Sequence, residues 1–235
     1  MEAVILAGGK GTRLYPHTSD IPKPLLPIGD QPIIEIVLLQ LKRAGVNKVH
    51  IAVNHLAHLI MDVIGDGTRF GLAVSYVIEE SPLSTVGPLA NIQGLPEDFI
   101  VINGDILTDL DIALLFADHL SSGAEVTVAT HQRTEKIDYG VLETDANGRV
   151  VRFSEKPDYT AQVSMGVYIF SHTILDRIPA GKPYGFDTLM TDMLLDGGKI
   201  CAYSYTGYWL DVGRPDDYQK AHQDIGLIAS WFSKP

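Results

Sequence analysis

Short apolar runs recur along the chain, each broken by glycine, proline or charge, and their lengths alternate between strand-like and helix-like. The first, Ala3-Val4-Ile5-Leu6-Ala7, is unbroken and β-rich, which predicts a strand buried on both faces. Residues 33–44 repeat apolar positions at helical spacing, with Pro32 and Glu35 at the start and Gly45 just past the end. The same reasoning predicts strands at 49–53, 73–79, 99–102 and 125–130, with helices at 55–64 and 111–121. A weaker helix at 85–93 is interrupted by Gly87-Pro88. Alternating strands and helices require right-handed crossovers. The expected fold class is therefore α/β, a Rossmann-like, mostly parallel or mixed sheet flanked by helices.

From residue 139 the pattern changes. Strands at 139–144 and 149–153 flank Asp145-Ala146-Asn147-Gly148, whose Asn-Gly marks a hairpin. Further strands are expected at 163–170 and 200–205, a short helix from Ser171, a helix at 187–195 stopped by Gly197-Gly198, and a last helix from Pro215. No linker, charge run or hexapeptide β-helix repeat divides the chain. The expectation is one domain, 1–235, with two lobes: a nucleotide-binding half to about residue 130, a sugar-phosphate half over about 131–223, and a tail at 224–235.

Composition narrows the function classes. A net charge of −11 argues against a nucleic-acid-coating protein but admits a nucleotide ligand, because a few local cations suffice. The single cysteine, Cys201, excludes an intramolecular disulfide framework and fits a reducing compartment; its neighbours Ile200 and Ala202 suit a strand. Met1-Glu2-Ala3 lacks the basic start of a signal peptide, and no run reaches the ~18 apolar residues of a membrane helix. The expected location is the cytoplasm, with neither membrane nor nucleic acid as partner. Trp231 and Phe232 suit a homo-oligomer contact or a frayed tail equally.

Chemistry concentrates after the first strand, in Gly8-Gly9-Lys10-Gly11-Thr12-Arg13. Glycines directly after a strand let backbone N–H groups approach a phosphate. The Walker spacing fails because Gly11 follows Lys10, and the dinucleotide spacing fails because Leu14 stands where its last glycine belongs. Lys23 lies between Pro22 and Pro24 on a stiffened segment, and with Arg13 it supplies a second cation. Asp105, closing Asn103-Gly104-Asp105, and Asp211, before Val212-Gly213, both follow apolar strands and suit a shared Mg²⁺. Each alone reads equally as a turn aspartate. Glu155-Lys156-Pro157 suits either an anionic second substrate or an exposed ion pair. His55, His58, His119, His131, His172 and His222 lack zinc spacing and are expected on surfaces or helix faces. Tyr203, Tyr205, Tyr208 and Trp209 suit a sugar pocket wall or core packing equally.

Taken together, these motifs and Pro82-Leu83-Ser84-Thr85-Val86-Gly87-Pro88-Leu89, Tyr139-Gly140-Val141 and Trp209-Leu210-Asp211-Val212-Gly213 resemble the sugar-1-phosphate nucleotidyltransferases, most of all the mannose-1-phosphate guanylyltransferases. The resemblance runs from Ala3 to about Tyr218. It implies the nucleotide-diphospho-sugar transferase fold and a Mg²⁺-dependent reaction of nucleoside triphosphate with sugar 1-phosphate, giving nucleotide-sugar and pyrophosphate. It implies that Leu6, Ala7 and the Gly8–Gly11 backbone with Lys10, Thr12 and Arg13 hold the triphosphate, that Lys23 meets the α-phosphate, and that Asp105 and Asp211 hold the metal. Arg13, Lys23 and Asp105 are the implied catalytic residues. Glu80, Gly87, Asn103 and Gly104 would complete the nucleotide site, with a carboxylate accepting from guanine N1–H and the 2-amino group. Tyr139, Gly140, Glu155, Lys156, Ser164, Gly166 and Trp209 would bind the sugar 1-phosphate. Ser84 and Ser164 depart from the family's usual Gly and Asn. The second departure makes a heptose 1-phosphate a competitor of mannose 1-phosphate. Another base (UTP, dTTP or CTP) and a non-catalytic nucleotide-sugar sensor are the remaining alternatives, and the chain reads as the catalytic core without the β-helix of longer mannose enzymes.

Overall fold

The computed structural model describes residues 1–79 and 81–231. The opening apolar run is β1 (Glu2–Leu6), and it sits inside a seven-stranded sheet. The other strands are β2 (Lys48–Val53), β3 (Ala73–Ile78), β4 (Asp98–Asn103), β5 (Val126–Lys136), β6 (Asp158–Ser171) and β7 (Ile200–Tyr205). Their spatial order is β7-β5-β6-β4-β1-β2-β3. Within this sheet only β6 is antiparallel to its neighbours; every other adjacent pair is parallel. The α/β expectation holds.

Helices α1 (Ile33–Arg43), α2 (Ala57–Ile64), α3 (Ile112–Ser122), α4 (Phe186–Asp196), α5 (Pro215–Gln223) and α6 (Ile225–Ser230) accompany the sheet. The central strands are buried on both faces, as their unbroken apolar character requires. Ala3, Ile5, Ile100 and Ile102 join Ile34, Leu38 and Leu41 of α1 in one cluster. The alternating residues Val4, Phe99 and Val101 join Leu89, Leu189 and Met193 in the other. Each of the larger side chains among these contributes about 1.5–3 kcal/mol relative to leaving it in water. Asp111 caps α3 by accepting the N–H groups of Ala113 and Leu114, and Gly123 ends it in the left-handed conformation.

Several expectations need correction. The helix expected at 85–93 is a short 3-10 turn, Gly87–Asn91, because Pro88 lacks the N–H that a longer helix needs. Strands β5 and β6 extend well past their apolar stretches: residues 132–136 and 158–162 keep pairing while mostly exposed, so no apolar alternation marks them. The segment expected as a tail contains α6, whose Ile228 is buried. His119 lies on a helix face, as expected, and that face is turned inward. It is buried, with Nδ1 2.8 Å from Thr127 Oγ1 and Nε2 3.1 Å from Asp98 Oδ1. Among the described residues no helix is long and apolar enough to cross a membrane.

Two features position the site. Strand order reverses between β1 and β4, so a crevice opens outside their carboxyl ends. In addition, β6 is irregular between Ser164, opposite Thr130, and Tyr168, opposite Val128, with Gly166 in the left-handed region at φ 73°.

Candidate functional site

The glycine loop leaves β1 beneath that crevice. Leu6, Ala7, Gly8, Gly9 and Lys10 line a cleft of about 400 Å³ together with Lys23, Asn103, Gly104 and Asp105. A Cβ on Gly8 would lie 2.6 Å from Glu79 Oε1, so any side chain there would displace that carboxylate. Gly11 adopts φ 63°, and a Cβ on it would come within 3.0 Å of Lys23 Cβ. Thr18 Oγ1 donates to the Gly11 carbonyl at 2.9 Å, which seats the loop on Lys23. Gly11, Thr12 and Arg13 turn away from the cleft lining into a short helix, Thr12–Leu14, anchored by buried Leu14. The Arg13 guanidinium instead lies beside Gly213, where a Cβ would be 3.4 Å from Nη2.

Pairing of backbones distant in sequence brings the two aspartates together. Gly104 N–H donates to Leu6 O at 2.9 Å, fixing the end of β4 against the end of β1. A short antiparallel ladder then joins Ile106–Thr108 to Trp209–Asp211, with Asp211 opposite Ile106. Val212 N–H donates to Asp105 O at 3.1 Å, locking Asp211 next to Asp105. The Lys23 ammonium, on a residue only 8% exposed, donates to the Asp105 carboxylate and lies 3.8 Å from Asp211 Oδ1. Burial pushes the Asp211 carboxyl above its usual range, and the Asp105 charge adds to this against the pull of Lys23 and Arg13.

These residues fit a divalent cation. Asp105 Oδ1 and Asp211 Oδ1 are both buried without a hydrogen-bond partner. Among the described residues no group of three or more His, Cys, Asp or Glu forms a protein cage. Two carboxylates with waters and substrate phosphates are a common Mg²⁺ environment.

The β6 irregularity borders the same place. A Cβ on Gly166 would lie 2.7 Å from Asn103 Nδ2, so this backbone rests on Asn103. Ser164 Oγ donates to the Tyr168 hydroxyl at 3.0 Å and accepts from Gly166 N–H at 3.3 Å. Trp209 Nε1 donates to Met165 O at 3.0 Å. Asn103, Ser164, Gly166 and Trp209 thus adjoin the strand ends that carry Asp105 and Asp211. Tyr139, Gly140, Glu155 and Lys156 gather elsewhere, at the base of the hairpin formed by Val141–Thr144 and Val150–Ser154. A Cβ on Gly140 would be 3.2 Å from Glu155 Oε2, Lys156 has φ 43°, and none of the four lines the cleft.

Other expected positions resolve differently. Gly87 is buried behind the lining, where a Cβ would meet Leu83 Cβ at 2.9 Å, so it permits close packing. Tyr205 and Tyr208 fasten the C-terminal segment: Tyr205 Oη and Tyr208 N–H donate to Asp109, and Tyr208 Oη donates to Asp224 at 2.9 Å. The Tyr208 ring meets Trp231 at 5.2 Å, and Arg43 Nη1 donates to the Trp231 carbonyl at 2.8 Å. Trp231 therefore packs on its own chain, while Phe232 lies outside the described residues.

Glu80 also lies outside the described residues, and its neighbour Glu79 occupies the cleft. Glu79 is 8% exposed; its Oε2 accepts Leu83 N–H at 2.9 Å, and Asn54 Nδ2 donates to its carbonyl at 3.0 Å. Burial raises its carboxyl pKa and the Leu83 bond opposes this. Pro24, Ala52, Asn54, Pro82, Ser84, Thr85 and Pro88 complete the missed lining. Asn54 and Glu79 each follow the last residue of a parallel strand, the same strand-end signal that marks Asp105.

Residues 2–226 match the family described as Nucleotidyl transferase. The chain is 37% identical over 231 residues to a mannose-1-phosphate guanylyltransferase of Mycobacterium tuberculosis, covering 96% of this chain and 64% of that protein. It is 34% identical over 245 residues to a UTP–glucose-1-phosphate uridylyltransferase of Synechocystis sp., covering 96% and 63%. The chain thus spans just under two thirds of the length of these curated relatives. Among solved structures it is similar to HddC from Yersinia pseudotuberculosis, with 31% identity, a TM-score of 0.73, and coverage of 95% of this chain and 99% of that one. The complex of HddC with GMP-PN gives a TM-score of 0.74.

Proposed function

Because the chain belongs to the nucleotidyl transferase family, we propose that it transfers a nucleotidyl group from a nucleoside triphosphate, GTP in preference, to a sugar 1-phosphate. A phosphate oxygen of the sugar 1-phosphate attacks the α-phosphorus, the bond to the bridging oxygen breaks, and pyrophosphate leaves. Both reactants are anions, so the obstacles are charge repulsion and in-line alignment. No covalent intermediate is required.

The observation that carries this reading is the meeting of Lys23 with Asp105 and Asp211 at a cleft lined by Gly8, Gly9 and Lys10. In the proposed complex the loop's N–H groups and Lys10 cradle the triphosphate. Lys23 and Arg13 offset charge near the α-phosphate. Mg²⁺ on Asp105 and Asp211 would supply further neutralisation of the phosphate oxygens. The sugar lies toward Asn103, Ser164, Gly166 and Trp209, and the hairpin with Gly140, Glu155 and Lys156 closes on its phosphate. A nucleoside triphosphate donor is compatible with the cytoplasmic location expected from the sequence.

For the base we assign Glu79. Its Oε1, beside Gly8, offers a carboxylate acceptor suited to guanine N1–H and the 2-amino group. The guanylyltransferase relative and the GMP-PN complex of HddC favour guanine, while the uridylyltransferase relative keeps UTP as the competing donor. Mannose 1-phosphate and a heptose 1-phosphate are the two acceptors to separate.

The test is a matrix of five triphosphates against mannose, glucose and heptose 1-phosphates, read as pyrophosphate release with Mg²⁺. GTP with one of these acceptors is the expected pair. Tight nucleotide-sugar binding without pyrophosphate release from any pair would replace the enzyme with a sensor.

A further inference from the structure

Lys23 has a double relation to the two carboxylates. Its ammonium is the bonded partner of Asp105 and a close neighbour of Asp211, yet those carboxylates are also the groups that fit a divalent cation. An ion held by both would sit within a few ångströms of the ammonium. Like charges so close, with little water between them, repel strongly. The lysine and the metal therefore compete for one pair of acceptors.

The backbone limits how that competition is resolved. Lys23 opens a short helix, Lys23–Leu25, held by Leu25 N–H to Pro22 O at 2.8 Å and Leu26 N–H to Lys23 O at 3.0 Å. The left-handed Gly11 packs within reach of Lys23 Cβ. The stem is pinned, so only the outer methylenes and the ammonium can swing.

We propose that Lys23 is an exchangeable internal counter-cation. In the free protein its ammonium bridges Asp105 and Asp211 and keeps metal affinity low. A triphosphate draws the ammonium onto its phosphates and opens the pair to the metal. This rests on the substrate reading given above, and it adds a dependence: metal and nucleotide each strengthen the binding of the other, by equal factors.

The decisive probe is Mn²⁺ alone, titrated into the nucleotide-free protein and followed by the electron paramagnetic resonance of the unbound ion. Lys23→Met keeps the stem and removes the charge. Its affinity for Mn²⁺ should exceed that of the unaltered protein by roughly 5- to 150-fold, the range usual for coupled sites. Asp105→Asn should abolish that binding in either background. Equal or weaker Mn²⁺ binding by Lys23→Met overturns the proposal. A second measurement needs no variant: Lys23 should acylate faster in saturating Mn²⁺, by peptide mass spectrometry, and an unchanged rate overturns the proposal as well. A protein that shows the Mn²⁺ effect but releases no pyrophosphate sinks the assigned reaction and supports the exchange; active protein without the effect sinks the exchange alone.

Discussion

Glu79→Gln tests which group reads the base. The carboxylate is buried, one oxygen is committed to Leu83 N–H, and the other lies beside Gly8 in the cleft. A hydrogen bond to a charged group contributes about 1.5–3 kcal/mol. At about 1.4 kcal/mol per tenfold, losing the charge should lower kcat/KM for GTP roughly 10- to 150-fold. The glutamine carbonyl can still accept Leu83 N–H, so folding should change little, and its amide offers a donor that suits a pyrimidine carbonyl. The assay is pyrophosphate release with GTP and UTP against one sugar 1-phosphate, alongside urea denaturation midpoints. Because burial holds the Glu79 carboxyl above its ordinary range, the GTP preference should also weaken as pH falls toward the carboxylate range. A folded variant whose GTP-to-UTP ratio stays within about twofold of the original refutes the assignment, and the base is then read by another group.

Three further outcomes are expected. Gly166→Ala places a methyl 2.7 Å from Asn103 Nδ2 at a φ of 73°, so it should cost at least the roughly 1–2 kcal/mol of a left-handed alanine and reduce turnover; an unchanged urea midpoint would contradict this. Asp211 holds its proton more tightly folded than unfolded, so its contribution to stability is present below its ordinary value of 3.8 and is lost as pH rises through the raised one. In chelator, Asp211→Asn should therefore melt higher than the original protein at pH 7, with the two converging in acid, and a lower Tm at pH 7 would refute the cause given. Ile228→Ala should cost about 2–5 kcal/mol by thermal or urea denaturation, since Ile228 is 1% exposed; a surface-like loss below ~0.5 kcal/mol would detach α6 from the core.

What could be read from the amino acids alone was whatever rests on local pattern. The β1 run, the Asn147-Gly148 hairpin and the strand-end position of Asp105 all follow from a few neighbouring residues. The meeting of Asp211 with Asp105 is a matter of non-local pairing, and Trp209–Asp211 is too short to announce its partner. Glu79 carried the same strand-end signal as Asp105, directly after Ile78, but a pair of adjacent glutamates does not announce which carboxylate lines the cleft. The exposed arms of β5 and β6 pair through backbone with no apolar face to betray them. The burial of His119 on its helix was not legible because its partners, Asp98 and Thr127, come from two strands outside that helix.

The short ladder between Ile106–Thr108 and Trp209–Asp211 bears on synthesis by the ribosome. The glycine loop and Asp105 emerge well before Asp211, and the walls they lend to the cleft can take shape while the residues that follow are still being translated. The carboxylate that faces Asp105 arrives only with Trp209–Asp211. Were the pair to hold a metal as proposed, a nascent chain would lack that site until Trp209–Asp211 docks on Ile106–Thr108.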